Sequence, residues 1–381
     1  MDDNPSSNSS FFSVNTNQIL KNDIPFPIRG VVYVPVYPGF LPWEIEGLSS
    51  EVLDANLKER IVVDLKNIKN LGANTVRLWG APVYVYEALA EEGELNILQT
   101  IWFDGEVDDF QDDSYKEQCK SYIRITVDRV YSAYPGSSPP VIAFLVGNEL
   151  SRDSIIQTDN LHPEIQSYSG IHIQTDASLT ASEAFLAEMG DYLKSYENTQ
   201  YGKVSLVSYS NEIRTYDILD TPFLDFRSHN VYSYAIPYYL SDPPTGSSTG
   251  THYQGWIEYL KYQYPDIPLL ITETGLSVSP MVEAIGPPDY GYGGNSEDEQ
   301  AEGLVQNLMD IQRAARPGAG VIIHEYLDAW WKFSLEDSLT QDPYDIEEWF
   351  GLVSFVEYNG FYITSERAAF KSIQKYWQYP F

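Results

Sequence analysis

Val141-Ile-Ala-Phe-Leu-Val-Gly-Asn148-Glu149 is an unbroken apolar run closed by a glycine and two polar residues. It shows no alternation of apolar and polar positions. A strand formed here is therefore covered on both faces, which is the habit of parallel sheets flanked by helices. Similar short runs begin the segments Arg29–Val36, Asn74–Trp79, Leu95–Trp102, Val204–Tyr209, Phe226–Tyr232, Leu269–Thr272 and Gly320–Tyr326. The stretches between them carry helix patterning. Leu57, Ile61, Leu65 and Ile68 fall on one stripe, and Gly72 stands where a C-cap is needed. Thr180 with Glu183, and Ser296 with Glu299, have capping-box spacing. Strand–helix alternation repeated eight times predicts an α/β protein of the (β/α)8 TIM barrel type rather than an open doubly wound sheet.

Length and composition agree. The 381 residues, 43% hydrophobic and 20% charged, suit one large core. A barrel of about 250 residues enlarged by loop insertions accounts for them as a single domain. Residues 1–22 are expected to be a polar N-terminal segment or linker, and 23–381 the barrel domain. The charge of −32, from 23 basic and 55 acidic residues, repels phosphate backbones and anionic lipid, so neither nucleic acid nor membrane is an expected partner. No apolar run is long enough to span a bilayer. The Ser/Asn-rich start lacks the apolar core of a signal peptide and looks like the linker that follows one. The expected location is extracellular or periplasmic after loss of a signal, with the cytoplasm as the alternative. The single cysteine, Cys119, forms no disulfide within the chain and is expected to be a buried thiol in a helix.

Long connections follow several strands: Ser151–Thr180, Ala235–Thr251, Ser277–Glu297 and Lys332–Glu348 are rich in Gly, Pro, Tyr, Asp and Ser. In a TIM barrel the loops after the strands build the functional face, so an elaborated cleft is expected there. Two carboxylates stand at that face. Glu149 ends the fourth run, and Leu269-Leu-Ile-Thr-Glu273-Thr-Gly275 ends the seventh. A carboxylate at the end of a buried strand costs free energy unless it faces a site. Paired carboxyl groups in one cleft are what glycoside hydrolysis requires, one to protonate the leaving oxygen and one to attack.

Val146-Gly-Asn148-Glu149, Thr272-Glu273-Thr-Gly275 and Val76-Arg77-Leu-Trp79 together resemble the strand-four, strand-seven and strand-two signatures of glycoside hydrolase clan A, the retaining (β/α)8 glycosidases. Within the clan the chain is most similar to family 17 and related β-glucanases and glucanosyltransferases, with features of the family 2 barrel. The likeness spans roughly Gly30 to Trp331. It implies Glu149 as acid/base, Glu273 as nucleophile, Asn148 as a donor to the sugar 2-hydroxyl, and Arg77 beneath the nucleophile. Asn230-Val-Tyr232 resembles the strand-six Asn-x-Tyr of family 2, which makes Tyr232 a donor to Glu273, with Tyr234 as a possible substitute. The stretch Glu325-Tyr-Leu-Asp328-Ala329-Trp330-Trp331-Lys332 resembles the family 17 pattern Glu-x-x-Asp-Glu-x-Trp-Lys. It adds Glu325, Lys332 and one of Trp330 and Trp331 as sugar contacts. Ala329 replaces the pattern's second glutamate and puts the family's linkage preference in doubt. Trp102, Tyr33 and Tyr37 follow strands on the same face and are further candidates for subsites.

Other chemistries lack their residues. The five histidines have no metal-ligand spacing, no GxSxG elbow occurs, and Gly291-Tyr-Gly293-Gly294 lacks the lysine of a phosphate loop. No metal and no cofactor is implied. The acidic pairs Asp108-Asp109 and Asp112-Asp113 read as solvated charge. The reading is a retaining hydrolase of β-linked, gluco-configured oligo- or polysaccharide. A transglycosidase on the same site, a non-catalytic carbohydrate-binding barrel, and a barrel lyase or isomerase are the alternatives. Linkage, endo or exo action and oligomeric state stay open.

Overall fold

The computed structural model describes residues 11–239, 251–281, 290–316, 318–332 and 338–378. Eight parallel strands close into a barrel: Ile28–Val32, Thr75–Leu78, Asn96–Ile101, Val141–Asn148, Leu206–Asn211, Arg227–Asn230, Leu269–Thr274 and Gly320–Ile323. Each lies inside or beside one of the runs read from the sequence. Closure is made by the last strand on the first, with Gly320 paired to Ile28 and Ile323 to Val31.

The helices form for local reasons, most of them read in the sequence; the Asp54 cap is added by the structure. Asp54 caps Ala55–Leu71 by accepting from the amides of Asn56 and Leu57, and Gly72 ends that helix in the left-handed region at φ 97°. Its stripe of Leu57, Ile61, Leu65 and Ile68 is buried against the strands. Thr180 and Glu183 cap Ala181–Tyr201 reciprocally, and Ser296 and Glu299 do the same for Glu297–Ala314. Cys119 is buried in Asp113–Ser132, as expected. The outer ring is completed by Val83–Glu92, His252–Gln263 and Ala368–Trp377.

The alternation breaks once. No helix joins the fifth strand to the sixth; residues 212–226 form turns instead. Asn211 holds them, donating to the Leu219 carbonyl at 2.7 Å and accepting from Thr215 Oγ1 at 2.6 Å. With an asparagine side chain supplying the bonds of a turn, the short segment has no need of a helical ladder.

Two small sheets decorate the barrel where no strand was read. Phe12–Asn15, Gln18–Lys21 and Ile24–Pro25 form an antiparallel sheet. Its Lys21 donates to Asn96 at 2.8 Å, at the start of the third barrel strand. Val353–Tyr358 and Phe361–Glu366 form a hairpin around Asn359-Gly360, both at positive φ. That is the turn an Asn-Gly pair favours. A bidentate pair, Arg367 to Asp328 at 2.6 Å for both contacts, ties the hairpin's end to the loop after the eighth strand. Among the described residues no helix is long and apolar enough to cross a membrane.

Candidate active site

The strand ends bring Arg77, Asn148, Glu149, Tyr232, Glu273, Glu325 and Lys332 to one face of the barrel. Arg77 lies at its centre, fully buried within the second strand. Its Nη1 donates to Glu273 Oε1 at 2.7 Å and to the Thr272 carbonyl at 2.9 Å, and its Nη2 donates to Asn148 Oδ1 at 2.7 Å. Tyr232 Oη donates to the other Glu273 oxygen at 2.6 Å. The residue two positions on, Tyr234, packs beside it and on Tyr292. Glu273 therefore receives one strong donor on each oxygen.

Glu149 meets different surroundings. It has φ 48°, a left-handed conformation that costs a non-glycine residue free energy, and it follows Gly147 at φ 96°. Asn230 Nδ2 donates to its Oε1 at 2.8 Å. Its nearest cation, Arg214, stands 3.5 Å away and sits closer to Glu212, at 2.5 Å. Burial, then the negative charges of Glu212 and Glu273, push the Glu149 pKa up to about 8. Burial also raises Glu212, with Arg214 opposing the rise. One face thus carries a carboxyl group that keeps its proton near neutrality beside a carboxylate gripped by a guanidinium and a phenol.

Asn148 and Asn230 connect the two. Asn148 Oδ1 accepts from Arg77 and, at 3.1 Å, from Asn230 Nδ2. Asn230 Oδ1 accepts from Thr272 at 2.8 Å. The Asn148 amide nitrogen makes no hydrogen bond among the described residues and remains a donor for a ligand.

Across the cleft, Lys332 Nζ lies 3.0 Å from Glu325, 3.4 Å from Glu347 and 3.1 Å from His324 Nε2. Burial opposes the lysine charge, but Glu325 and Glu347 outweigh it and raise the pKa. Burial lifts Glu325 to about 7, against the pull of Lys332. The ammonium also sits 5.3 Å from the Trp79 ring centroid, a cation–π contact. Trp79 in turn lies 5.8 Å from Trp102, which is half exposed. Tyr292, Tyr344 and Glu347 line an adjoining open cavity of about 410 Å³.

Three of the expected contacts, Tyr33, Tyr37 and Trp330, sit elsewhere. Tyr33 is fully buried and bonds Asp64 at 3.0 Å, where Tyr37 joins it. Both serve the packing of the helix Ala55–Leu71 on the barrel rather than the cleft. Trp330 packs edge-on against Phe355 and Tyr362 of the hairpin, and Trp331 is partly buried against the core. The stretches 240–250, 282–289 and 333–337 of the expected catalytic-face loops lie outside the described residues.

The sequence reading did not assign site positions to Trp79, Glu212, Arg214, Asn230, His324 and Glu347. Glu212 carried a signal: Asn211-Glu212 closes the fifth run as Asn148-Glu149 closes the fourth.

No known protein-family profile matches this chain, and no curated protein is similar to it in sequence. Solved structures do share its fold. A glycoside hydrolase family 2 β-galacturonidase from Eisenbergiella tayi, bound to galacturonate, superimposes with a TM-score of 0.61 at 16% identity over 97% of this chain and 54% of its own. The β-glucuronidase of Ruminococcus gnavus gives 0.62 at 15% identity over 97% and 53%. A β-glucuronidase from an uncultured Clostridium gives 0.61 at 16% over 97% and 53%. The chain spans about half the length of these proteins, and at such identities the likeness is one of fold.

Proposed function

We propose that the protein is a retaining β-glycoside hydrolase working by double displacement, with Glu149 as acid/base and Glu273 as nucleophile. The observation that carries this reading is the contrast between the two glutamates: one raised to about 8, the other held by Arg77 and Tyr232. Unlike surroundings for paired carboxyl groups are how acid and nucleophile roles are divided. In the first step a Glu273 oxygen attacks the anomeric carbon as the bond to the leaving oxygen breaks. Glu149 gives that oxygen its proton, and the aglycone departs as an alcohol. In the second step the Glu149 carboxylate takes a proton from water, or from a second sugar's hydroxyl, as that oxygen attacks and frees Glu273. Asn148 donates from its unoccupied amide nitrogen to the sugar beside the cleavage point. Arg77 and Tyr232 keep the nucleophile's lone pairs aimed.

The glycosidases that share the fold support the class of reaction. The finer reading, a β-glucan as substrate, is supported by Glu325 and Lys332 lining the cleft, while Ala329, buried and bonded through its backbone to Glu348, supplies no sugar contact. The test is product release from β-linked aryl glycosides and oligosaccharides by wild type, Glu149→Gln and Glu273→Gln. Wild type should release sugar, and Glu149→Gln should be about 10²–10⁴-fold slower. Glu273→Gln should be silent, and a 2-fluoro glycoside should label Glu273 of the wild type. Full activity in either variant on a substrate the wild type cuts would end the assignment.

A further inference from the structure

His324 directly follows the eighth strand and faces the nucleophile, and its two nitrogens have unequal partners. Nε2 lies 3.1 Å from Lys332 Nζ. An ammonium group only donates, so Nε2 must be the acceptor, and in a neutral imidazole the proton then sits on Nδ1. The ring is kept neutral because burial, Lys332 and Arg77 all oppose a positive charge there, holding its pKa well below the usual value. Nδ1 is buried without a hydrogen-bond partner among the described residues. It stands 3.9 Å from Glu273 Oε2, an oxygen already taken by Tyr232. The ring is 2% exposed and packed on Trp79 and Phe350, so it cannot turn away to water. A buried N–H with no acceptor costs free energy that a ligand oxygen would recover.

The charges around it decide what kind of oxygen that is. Arg77 faces Glu273, Arg214 is shared by Glu212 and Glu149, and Lys332 is shared by Glu325 and Glu347. At the rim, Arg152 grips Asp217 through both nitrogens. The stretches 1–10, 240–250, 282–289, 333–337 and 379–381 and position 317 contain no lysine or arginine. Every lysine and arginine of the chain is therefore among the described residues, and the charged side chains of the remaining stretches are all carboxylates.

We infer that His324 is a substrate-binding residue that donates from Nδ1 to a hydroxyl of the sugar beside Glu273, and that the cleft accepts uncharged sugars and rejects uronic acids. A hydroxyl accepts from Nδ1 while donating to a neighbouring carboxylate. A uronate only accepts, and the cations it would need, Arg77, Arg214 and Lys332, already face glutamates of the cleft. This rests on the glycosidase reading above, and the experiment separates the two.

The full chain is assayed on aryl and short oligosaccharide β-glucosides, β-galactosides and β-mannosides and on the matching β-glucuronides and β-galacturonides. Neutral glycosides should be favoured in kcat/KM by about 100-fold or more. Comparable or better cleavage of a uronide overturns the inference and leaves the glycosidase reading standing. Silence on every glycoside overturns both. His324→Phe keeps a ring against Trp79 and removes the donor; kcat/KM on the preferred sugar should fall about 10- to 100-fold. His324→Asn, whose amide nitrogen replaces Nδ1, should recover part of the loss. On one monodeoxy analogue of that sugar His324→Phe and wild type should be equal, because the hydroxyl that Nδ1 reads is gone from both. A penalty that is the same on every monodeoxy analogue would reduce His324 to packing and overturn its assignment.

Discussion

Burial first, and then its neighbours, set the affinity of Glu149 for a proton. Glu212 adds a negative charge, and Arg214, closer to Glu212, gives Glu149 only a distant positive one. Below about pH 8 Glu149 is protonated and able to act as an acid, so kcat/KM should fall as pH rises through that value. In Glu212→Gln the like charge is removed and Arg214 is released toward Glu149. Both changes favour the carboxylate, so the alkaline limb should move to lower pH by about 1, read from the profile of kcat/KM. An unmoved limb would show that Glu212 does not act on Glu149. The motif pairs Asn148-Glu149 and Thr272-Glu273 were legible because each closes an apolar run. The approach of His324 to Lys332, or of Trp79 to both, was not. The first contact folds the loop after the eighth strand back on its own strand end and the second reaches it from the end of the second strand, so both depend on side-chain direction that no local pattern records.

Among the elements, the strand runs and most helix caps were legible because each is fixed by neighbours in sequence: Gly72, Thr180 and Glu183, Ser296 and Glu299. The turns after the fifth strand were not, since Asn211 replaces a helix there by bonds that depend on its rotamer. The hairpin 353–366 had a readable signal in Asn359-Gly360. What anchors it is a tertiary contact, Arg367 on Asp328, and Asp328 within the strand-eight pattern thereby serves the fold rather than the sugar. Asp328 is buried at 1% exposure and depends on that cation. Arg367→Leu strands a buried charge and should lower unfolding free energy by about 3–5 kcal/mol in urea titration. Replacing Asp328 by Asn in the same chain should return much of it. A loss in Arg367→Leu of only a few tenths would mean water reaches Asp328 in its place.

For the whole molecule, charge and topology pull in separate directions. The surplus of 55 acidic over 23 basic residues repels itself in the folded state more than in the expanded one. Raising salt from about 0.01 to 1 M shortens the Debye length from about 30 to 3 Å. The midpoint of thermal unfolding should therefore climb with sodium chloride, and a flat or falling midpoint would place the acidic residues where they do not sense one another. The join between Gly320–Ile323 and Ile28–Val32 has a different reach. A ribosome makes Ile28–Val32 early and Gly320–Ile323 almost three hundred residues later. Throughout that interval the growing sheet has two raw edges, each able to take a strand from a neighbouring nascent chain. Slower initiation or colder growth, which spaces the nascent chains apart, acts on the yield of this protein through that one seam.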